Sequence, residues 1–225
     1  MTRVDAFAEV AADYDRWFET PLGAFIDERE LEALARLLAG EPRGHVVEVG
    51  AGTGHVVNAL RRHGFEVTAV EPSAAMRVIG ERAAGGPGVR WVDARAEALP
   101  FADGEFDGAL FFTTIEFVDD ASRALREAFR VVRDGGWVVV GALHATSSWT
   151  ALYRHEADRG TPPWPAARFY TRADLESLAG REAEEARAAV WLGPFAREPY
   201  DEADEAGRRA GNPPAFELLR WRVRP

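Results

Sequence analysis

The sequence predicts an α/β fold built on a mostly parallel sheet, and three observations predict it. Short apolar runs of the buried-strand type alternate with stretches whose apolar residues recur every three or four positions. One run, Val46-Val47-Glu48-Val49, passes directly into the turn Gly50-Ala51-Gly52-Thr53-Gly54 and then into helical spacing at Val56, Val57 and Leu60. The length, 225 residues, suits one large domain with a full core, and no internal repeat or clear linker divides it.

Composition excludes several chemistries. Cysteine is absent, which removes disulfides, thiolate zinc sites and cysteine nucleophiles. Every basic residue apart from the histidines is arginine, so no lysine Schiff base or P-loop lysine exists. The net charge of −10 argues against a non-specific nucleic-acid partner. No run of 18 apolar residues and no basic-then-apolar leader occurs, so the expectation is a cytoplasmic protein without a membrane partner. Oligomeric state is not legible.

Taken in order, residues 7–38 read as two helices. Phe7, Val10, Ala11, Tyr14, Trp17 and Phe18 carry the first; Thr20-Pro21 opens the second, which ends at Gly40 and Pro42. They are not needed to build a sheet, so residues 1–40 are either packing or an N-terminal helical lid. The glycine turn follows the first strand. Glycines there let a ligand approach the backbone and allow positive φ, and the helix behind offers unpaired N–H groups. That makes a nucleotide site at the carboxyl end of a strand. A dinucleotide fingerprint would need glycine at the sixth place, where His55 stands. Glu48, two residues before the first glycine, suits a ligand carrying positive charge.

This Glu-x-Gly-x-Gly-x-Gly turn resembles motif I of the class I S-adenosylmethionine-dependent methyltransferases. The resemblance implies a Rossmann-like seven-stranded sheet, mostly parallel, with helices on both faces and one antiparallel edge strand. It implies S-adenosylmethionine as cofactor, contacted at Glu48, Gly50, Gly52 and Gly54. Tyr14-Asp15 resembles the Tyr-Asp pair in the N-terminal helix of many small-molecule members, where that helix covers the cofactor; Tyr14 is then a cofactor contact or a core residue. The second strand, residues 65–70, ends in Glu71-Pro72, one βα unit downstream. A carboxylate there can accept from both ribose hydroxyls, or cap the next helix, although Ser73 is available for that. Met76, the only internal methionine, packs on adenine or fills core.

Gly85-Gly86-Pro87-Gly88 is a turn cluster, and residues 89–93 are a third strand. The segment from Ala94 to Phe101, with Phe106-Asp107 beyond it, resembles the family's Gly-Asp-Ala-Glu-x-Leu-Pro-Phe … Phe-Asp stretch. Arg95 stands where an adenine-binding aspartate often sits, so adenine must be read by backbone near Arg95 and Ala96, with Glu97 or Asp93 helping. The fourth strand, residues 107–112, ends at Thr113 and leads to Glu116; in the family this end faces sulfonium and substrate. Thr113 is then a cofactor backbone contact. Glu116 is a substrate or orienting contact, or part of a plain helix-start loop. Asp119 or Asp120 caps a helix closed by Gly135-Gly136 before a fifth strand, residues 137–143.

The tail changes texture. Residues 145–170 carry Trp149, Tyr153, Trp164, Phe169 and Tyr170, and read as a short helix at 148–155 followed by a mobile substrate flap. Thr171 to Asp174 form a capping box. Residues 184–191 and 214–223 are closing strands; Arg220, Arg222 and Arg224 form a solvated face, with an anion site as the lesser reading. Residues 200–212 between them are a surface excursion.

The expected reaction is methyl transfer to a small-molecule acceptor by direct displacement. His144, at the end of the fifth strand, and Glu116 are the candidate bases if the acceptor needs one. No Asn-Pro-Pro-Tyr-type tetrapeptide follows the fourth strand, which disfavours methylation of DNA bases, and no carboxylate set suggests a metal. Two other readings stay open: an NAD-dependent oxidoreductase, and a cofactor-binding protein without transferase activity.

Overall fold

The computed structural model describes residues 5–84 and 88–224. A seven-stranded sheet forms in the order β3-β2-β1-β4-β5-β7-β6. Its strands are β1 (His45–Val49), β2 (Glu66–Val70), β3 (Arg90–Val92), β4 (Phe106–Phe112), β5 (Val132–Leu143), β6 (Glu185–Ala189) and β7 (Phe216–Arg222). β1 to β5 pair in parallel; β7 is reversed, and pairs antiparallel with both β5 and the edge strand β6. Strand parity divides the core. Val46, Leu110, Phe112, Trp137 and Val139 face one layer; Val47, Val49, Ala109, Phe111, Val138 and Val140 face the other.

Eight α-helices occur among the described residues: α1 (Arg16–Glu19), α2 (Pro21–Leu37), α3 (His55–Arg62), α4 (Ala74–Ala83), α5 (Ala121–Val131), α6 (Ser148–Asp158), α7 (Arg172–Ala179) and α8 (Tyr200–Arg209). Leu34 and Leu37 of α2 and Val57 and Leu60 of α3 seal the first layer; Leu125, Ala128 and Val131 of α5 and Leu175 of α7 seal the second. Each large apolar side chain so buried contributes about 1.5–3 kcal/mol. Thr20, Ser73, Asp120 and Thr171 cap α2, α4, α5 and α7. None of these helices is long and apolar enough to cross a membrane.

Glycines inside helices share one circumstance. Gly23 in α2, Gly80 in α4 and Gly207 in α8 each lack room for a Cβ because a tryptophan lies against them. The obstacles are the Trp17 carbonyl, the Trp91 ring and the Trp191 carbonyl.

Several sequence expectations need correction. The first N-terminal helix breaks into a 3-10 turn, Ala11–Asp13, and the single turn α1. Its aromatics serve separate contacts: Phe7 packs on Phe117 with ring centroids 4.8 Å apart, and Tyr14 meets Phe18 at 6.2 Å. Asp15 accepts from the Thr53 hydroxyl at 2.6 Å, tying this segment to the glycine turn. Gly135 and Gly136 lie within the irregular start of β5, where Val132 already pairs with Phe106. The excursion at 200–212 is mostly α8, whose Tyr200 packs on Phe25 at 5.7 Å and whose Asp204 accepts from the Leu192 N–H at 2.9 Å. The segment 145–170 carries a longer helix than expected and a 3-10 turn, Trp164–Ala166, closed by Tyr153 and Trp164 stacked at 3.7 Å. Arg220 and Arg222 are not a solvated face: both reach the buried Glu41, at 2.9 and 2.6 Å, and Arg220 also reaches Glu185 at 2.7 Å. Of the turn cluster, Gly85, Gly86 and Pro87 lie outside the described residues, while Gly88 is a turn residue with φ 115°.

Candidate active site

At the carboxyl ends of β1 and β2 the glycine turn is bolted to the neighbouring strand. The N–H groups of Gly50 and Ala51 donate to the Val70 carbonyl at 2.8 and 3.0 Å. Glu71, at the end of β2, accepts from the Gly52 N–H at 2.8 Å and from the Ser73 N–H at 2.7 Å. Burial pushes its carboxyl up, against these two bonds, which pull it down. Gly52 has φ 55°, and a Cβ there would meet only Met76 Cε, at 3.5 Å; the rest of that space is cavity. Gly54 differs. It has φ 82° and starts α3, but a Cβ would meet the Ala84 Cβ at 2.8 Å and the Trp91 ring at 3.3 Å. It is a packing glycine and does not line the cavity, which corrects its expected cofactor contact.

The cavity measures about 750 Å³, within the range of small-molecule sites. Glu48, Gly50, Gly52, Glu71 and Met76 line one end, together with Arg95, Ala96 and Glu97. Glu48 is only 2% exposed and its Oε2 has no hydrogen-bond partner. Burial, then Glu71, pushes its carboxyl well above the usual range. Arg95 is held by Asp119 and Glu97, and Glu97 also accepts from the Asp119 N–H at 2.7 Å. Asp93 is turned outward to Arg77 at 2.9 Å and does not line the cavity, so it is corrected as an adenine contact.

Another part of the wall is aromatic: Phe117, Trp149, Tyr153 and Trp164 cluster there, and Tyr14 stands near enough to Glu71 to feel its charge. Burial, then Asp15 and Glu30, pushes the Tyr14 hydroxyl up to about 12, so the phenol stays neutral. Thr113 lines the cavity with φ 49°, unusual for a β-branched residue, and its N–H donates to the Gly141 carbonyl at 2.8 Å. Val190, at φ 63°, is a second left-handed residue on the wall.

The two candidate bases are not on that wall. His144 follows Leu143, which faces the cavity, so strand parity turns its ring to the opposite side. There it lies 3.1 Å from the Thr146 hydroxyl and beside Glu217, whose carboxyl burial raises and the histidine ring lowers. Glu116 is 0% exposed and stands behind the wall in the 3-10 turn Ile115–Phe117. Its Oε1 accepts from the Leu143 N–H at 2.6 Å, and its Oε2 has no partner. Burial pushes its carboxyl up to about 7. Neither side chain lines the cavity, contrary to what was expected of a catalytic base.

Sequence reasoning overlooked Asp27 and Glu30, which reach the cavity from α2. Asp27 bonds to His55 Nε2 at 2.7 Å, and the His55 ring stacks on Phe18 at 4.2 Å. The signal for Glu30 was present: it interrupts the buried face of α2 formed by Ile26, Ala33, Leu34 and Leu37. A carboxylate on an apolar stripe needs a partner.

A family model described as a methyltransferase domain matches residues 47–140. An uncharacterised protein of Mycobacterium tuberculosis is 37% identical over 181 residues, covering 79% of this chain, which spans 59% of that relative's length. A demethylmenaquinone methyltransferase of Clavibacter sepedonicus is 30% identical over 83% of this chain and 71% of its own. A solved S-adenosylmethionine-dependent methyltransferase of Thermotoga maritima, described as a possible histamine N-methyltransferase, superposes with a TM-score of 0.78 at 30% identity. The superposition covers 97% of this chain and 99% of that one. The seven-stranded fold, the cavity at its strand ends and these relatives agree: the chain belongs to the class I S-adenosylmethionine-dependent methyltransferases.

Proposed function

We propose that the chain transfers a methyl group from S-adenosylmethionine to a small-molecule acceptor seated in the aromatic part of the cavity. One observation carries this reading. A single cavity joins the Gly50–Gly52 turn and Glu71 to the wall of Tyr14, Trp149, Tyr153 and Trp164, so two ligands can lie in contact within it.

The residues present fit the cofactor. A carboxylate offers about four acceptor sites. Glu71 uses two on backbone N–H groups, which leaves capacity for ribose hydroxyls. The partnerless Glu48 Oε2 can accept from a ligand donor beneath the turn. Met76 and Ala96 supply apolar surface for a planar base. When bound, S-adenosylmethionine supplies a methyl group on a positively charged sulfur, an activated leaving group. The chain's work is then positioning and exclusion of water. Holding two reactants in line is worth up to about 7–11 kcal/mol. The aromatic wall and the backbone at Thr113 define that line, with no side-chain base on the wall from β4 or β5.

Thermal unfolding with S-adenosylmethionine, S-adenosylhomocysteine and NAD in parallel tests the reading. Ligand at a hundred times its dissociation constant stabilises by about 2.7 kcal/mol. The sulfur ligands are expected to raise the midpoint and NAD to leave it unchanged. A rise with NAD alone would make the chain an oxidoreductase. Binding of the sulfur ligands with no turnover across an acceptor library would make it a binding protein.

A further inference from the structure

Glu30 has no role in the chemistry described so far. It sits on α2, one turn beyond Asp27, on a helix that packs over β6 and β7. It is 9% exposed and lines the cavity. No hydrogen-bond donor and no cation pairs with it among the described residues, in contrast to its neighbours. Asp27 has His55, Glu71 has two backbone N–H groups, and Glu97 has Arg95 and the Asp119 N–H. Among the described residues Arg95 is the only arginine on the cavity wall, and it is committed to Asp119 and Glu97.

The surroundings of Glu30 favour a cation. The carboxyls of Asp27 and Glu116 lie close enough to influence it, and burial together with both pushes its own carboxyl well above the usual range. Tyr14 and Tyr153 are near enough to feel its charge, and both face the cavity. Aromatic faces attract ammonium groups, and more strongly when water is excluded. A buried carboxyl with no partner is costly to ionise alone, and an arriving ammonium group removes that cost.

We infer that Glu30 anchors the ammonium group of an amine-bearing acceptor, with Tyr14 and Tyr153 flanking it. The inference rests on the methyl-transfer reading and names the acceptor class for the same cavity. Glu30 binds the amine; which acceptor atom receives the methyl group is a separate matter.

The experiment is calorimetric titration of the whole chain loaded with S-adenosylhomocysteine. The probes are matched pairs: phenethylamine with 2-phenylethanol, tyramine with tyrosol, and tryptamine with tryptophol. At least one amine is expected to bind tenfold or more tightly than its alcohol. In Glu30→Gln that preference is expected to fall below threefold, while affinity for S-adenosylhomocysteine stays within twofold. Equal binding of amine and alcohol across all pairs in the native chain overturns the inference without reference to any variant. A preference that survives in Glu30→Gln also overturns it. A native chain that binds no S-adenosylhomocysteine overturns the methyl-transfer reading, and the inference with it.

Discussion

Replacing Glu116 by glutamine should leave the protein unchanged in acid and make it more stable in base. The native carboxyl is fully buried, and burial holds its proton up to about pH 7, whereas the unfolded chain releases it near 4.5. Between those values the folded state binds the extra proton, so stability falls as pH rises. The contribution is fully present below the unfolded pKa and is lost as pH climbs through the folded one. At about 1.36 kcal/mol per pKa unit, the loss is about 3 kcal/mol by pH 8. Glutamine carries no proton to lose. Its amide oxygen can keep the bond from the Leu143 N–H, and its amide nitrogen replaces an oxygen that already lacks a partner. Denaturant unfolding of the ligand-free protein at pH 5 and pH 8 measures the difference. Glu116→Gln should match the native chain within about 1 kcal/mol at pH 5 and exceed it by about 3 kcal/mol at pH 8. At about 2–4 °C per kcal/mol for a chain this size, the midpoint should rise by about 6–12 °C. Glu48 also has a raised pKa, but it is present in both proteins and largely cancels; Glu30, which the Glu116 charge helps push up, is relieved of that charge in the variant, which adds to the gain at pH 8. An equal difference at both pH values would refute the account of Glu116 as a buried, proton-holding acid.

Glu71→Gln should weaken S-adenosylhomocysteine by roughly tenfold or more and lower stability by about 1–3 kcal/mol. The two N–H groups bind different carboxylate oxygens, and glutamine replaces one of these with an NH2 group that cannot accept, so either the Gly52 or the Ser73 N–H loses its partner; an unchanged dissociation constant in titration would remove Glu71 from the cofactor site. Glu41→Ala should cost about 3 kcal/mol, because it removes the buried carboxylate that Arg220 and Arg222 share, leaving Arg220 only the Glu185 carboxylate among the described residues and Arg222 none from Glu41. The figure sits at the lower end for a broken buried pair, since Arg222 keeps 29% of its side chain in water. A melting curve shifted by less than 2 °C would show that those pairs contribute little.

What could be read from the sequence was set by local geometry. The turn from Val49 into α3 needs glycine at fixed offsets from a strand end, and Glu71 falls at the end of the neighbouring strand by the length of one βα unit. Thr171 and Asp174 bond each other across a single turn, so their capping box shows in four letters. The misread residues depend on distant partners. Arg220 and Arg222 looked solvated because Glu41 lies about 180 positions away in sequence. Glu116 was offered as a contact because a strand end points to the site, yet its short 3-10 turn swings the side chain behind the wall. His144 is the instructive case. Alternation along β5 already assigned it the face opposite Leu143, and the attraction of a histidine at a strand end outweighed that parity. The charges of α8 hid a modest apolar face of Tyr200 and Ala203 that rests on the first core layer.

The tryptophans beside Gly23, Gly80 and Gly207 bear on how this chain can be engineered. A common route to a hardier protein exchanges glycines inside helices for alanine, worth about 1 kcal/mol each where space allows. Here every α-helix glycine among the described residues is a socket for a neighbouring ring or carbonyl. At Gly23 and Gly207 the obstacle is backbone, which cannot rotate away. At Gly80 it is the Trp91 indole, which also crowds Gly54 behind the cofactor turn, so alanine there would press on the turn as well as on α4. A stabilising programme for this protein should leave those three positions alone and begin at Gly40 instead. That glycine lies beyond the end of α2, where a Cβ would meet nothing within 4 Å and no positive φ stands in the way.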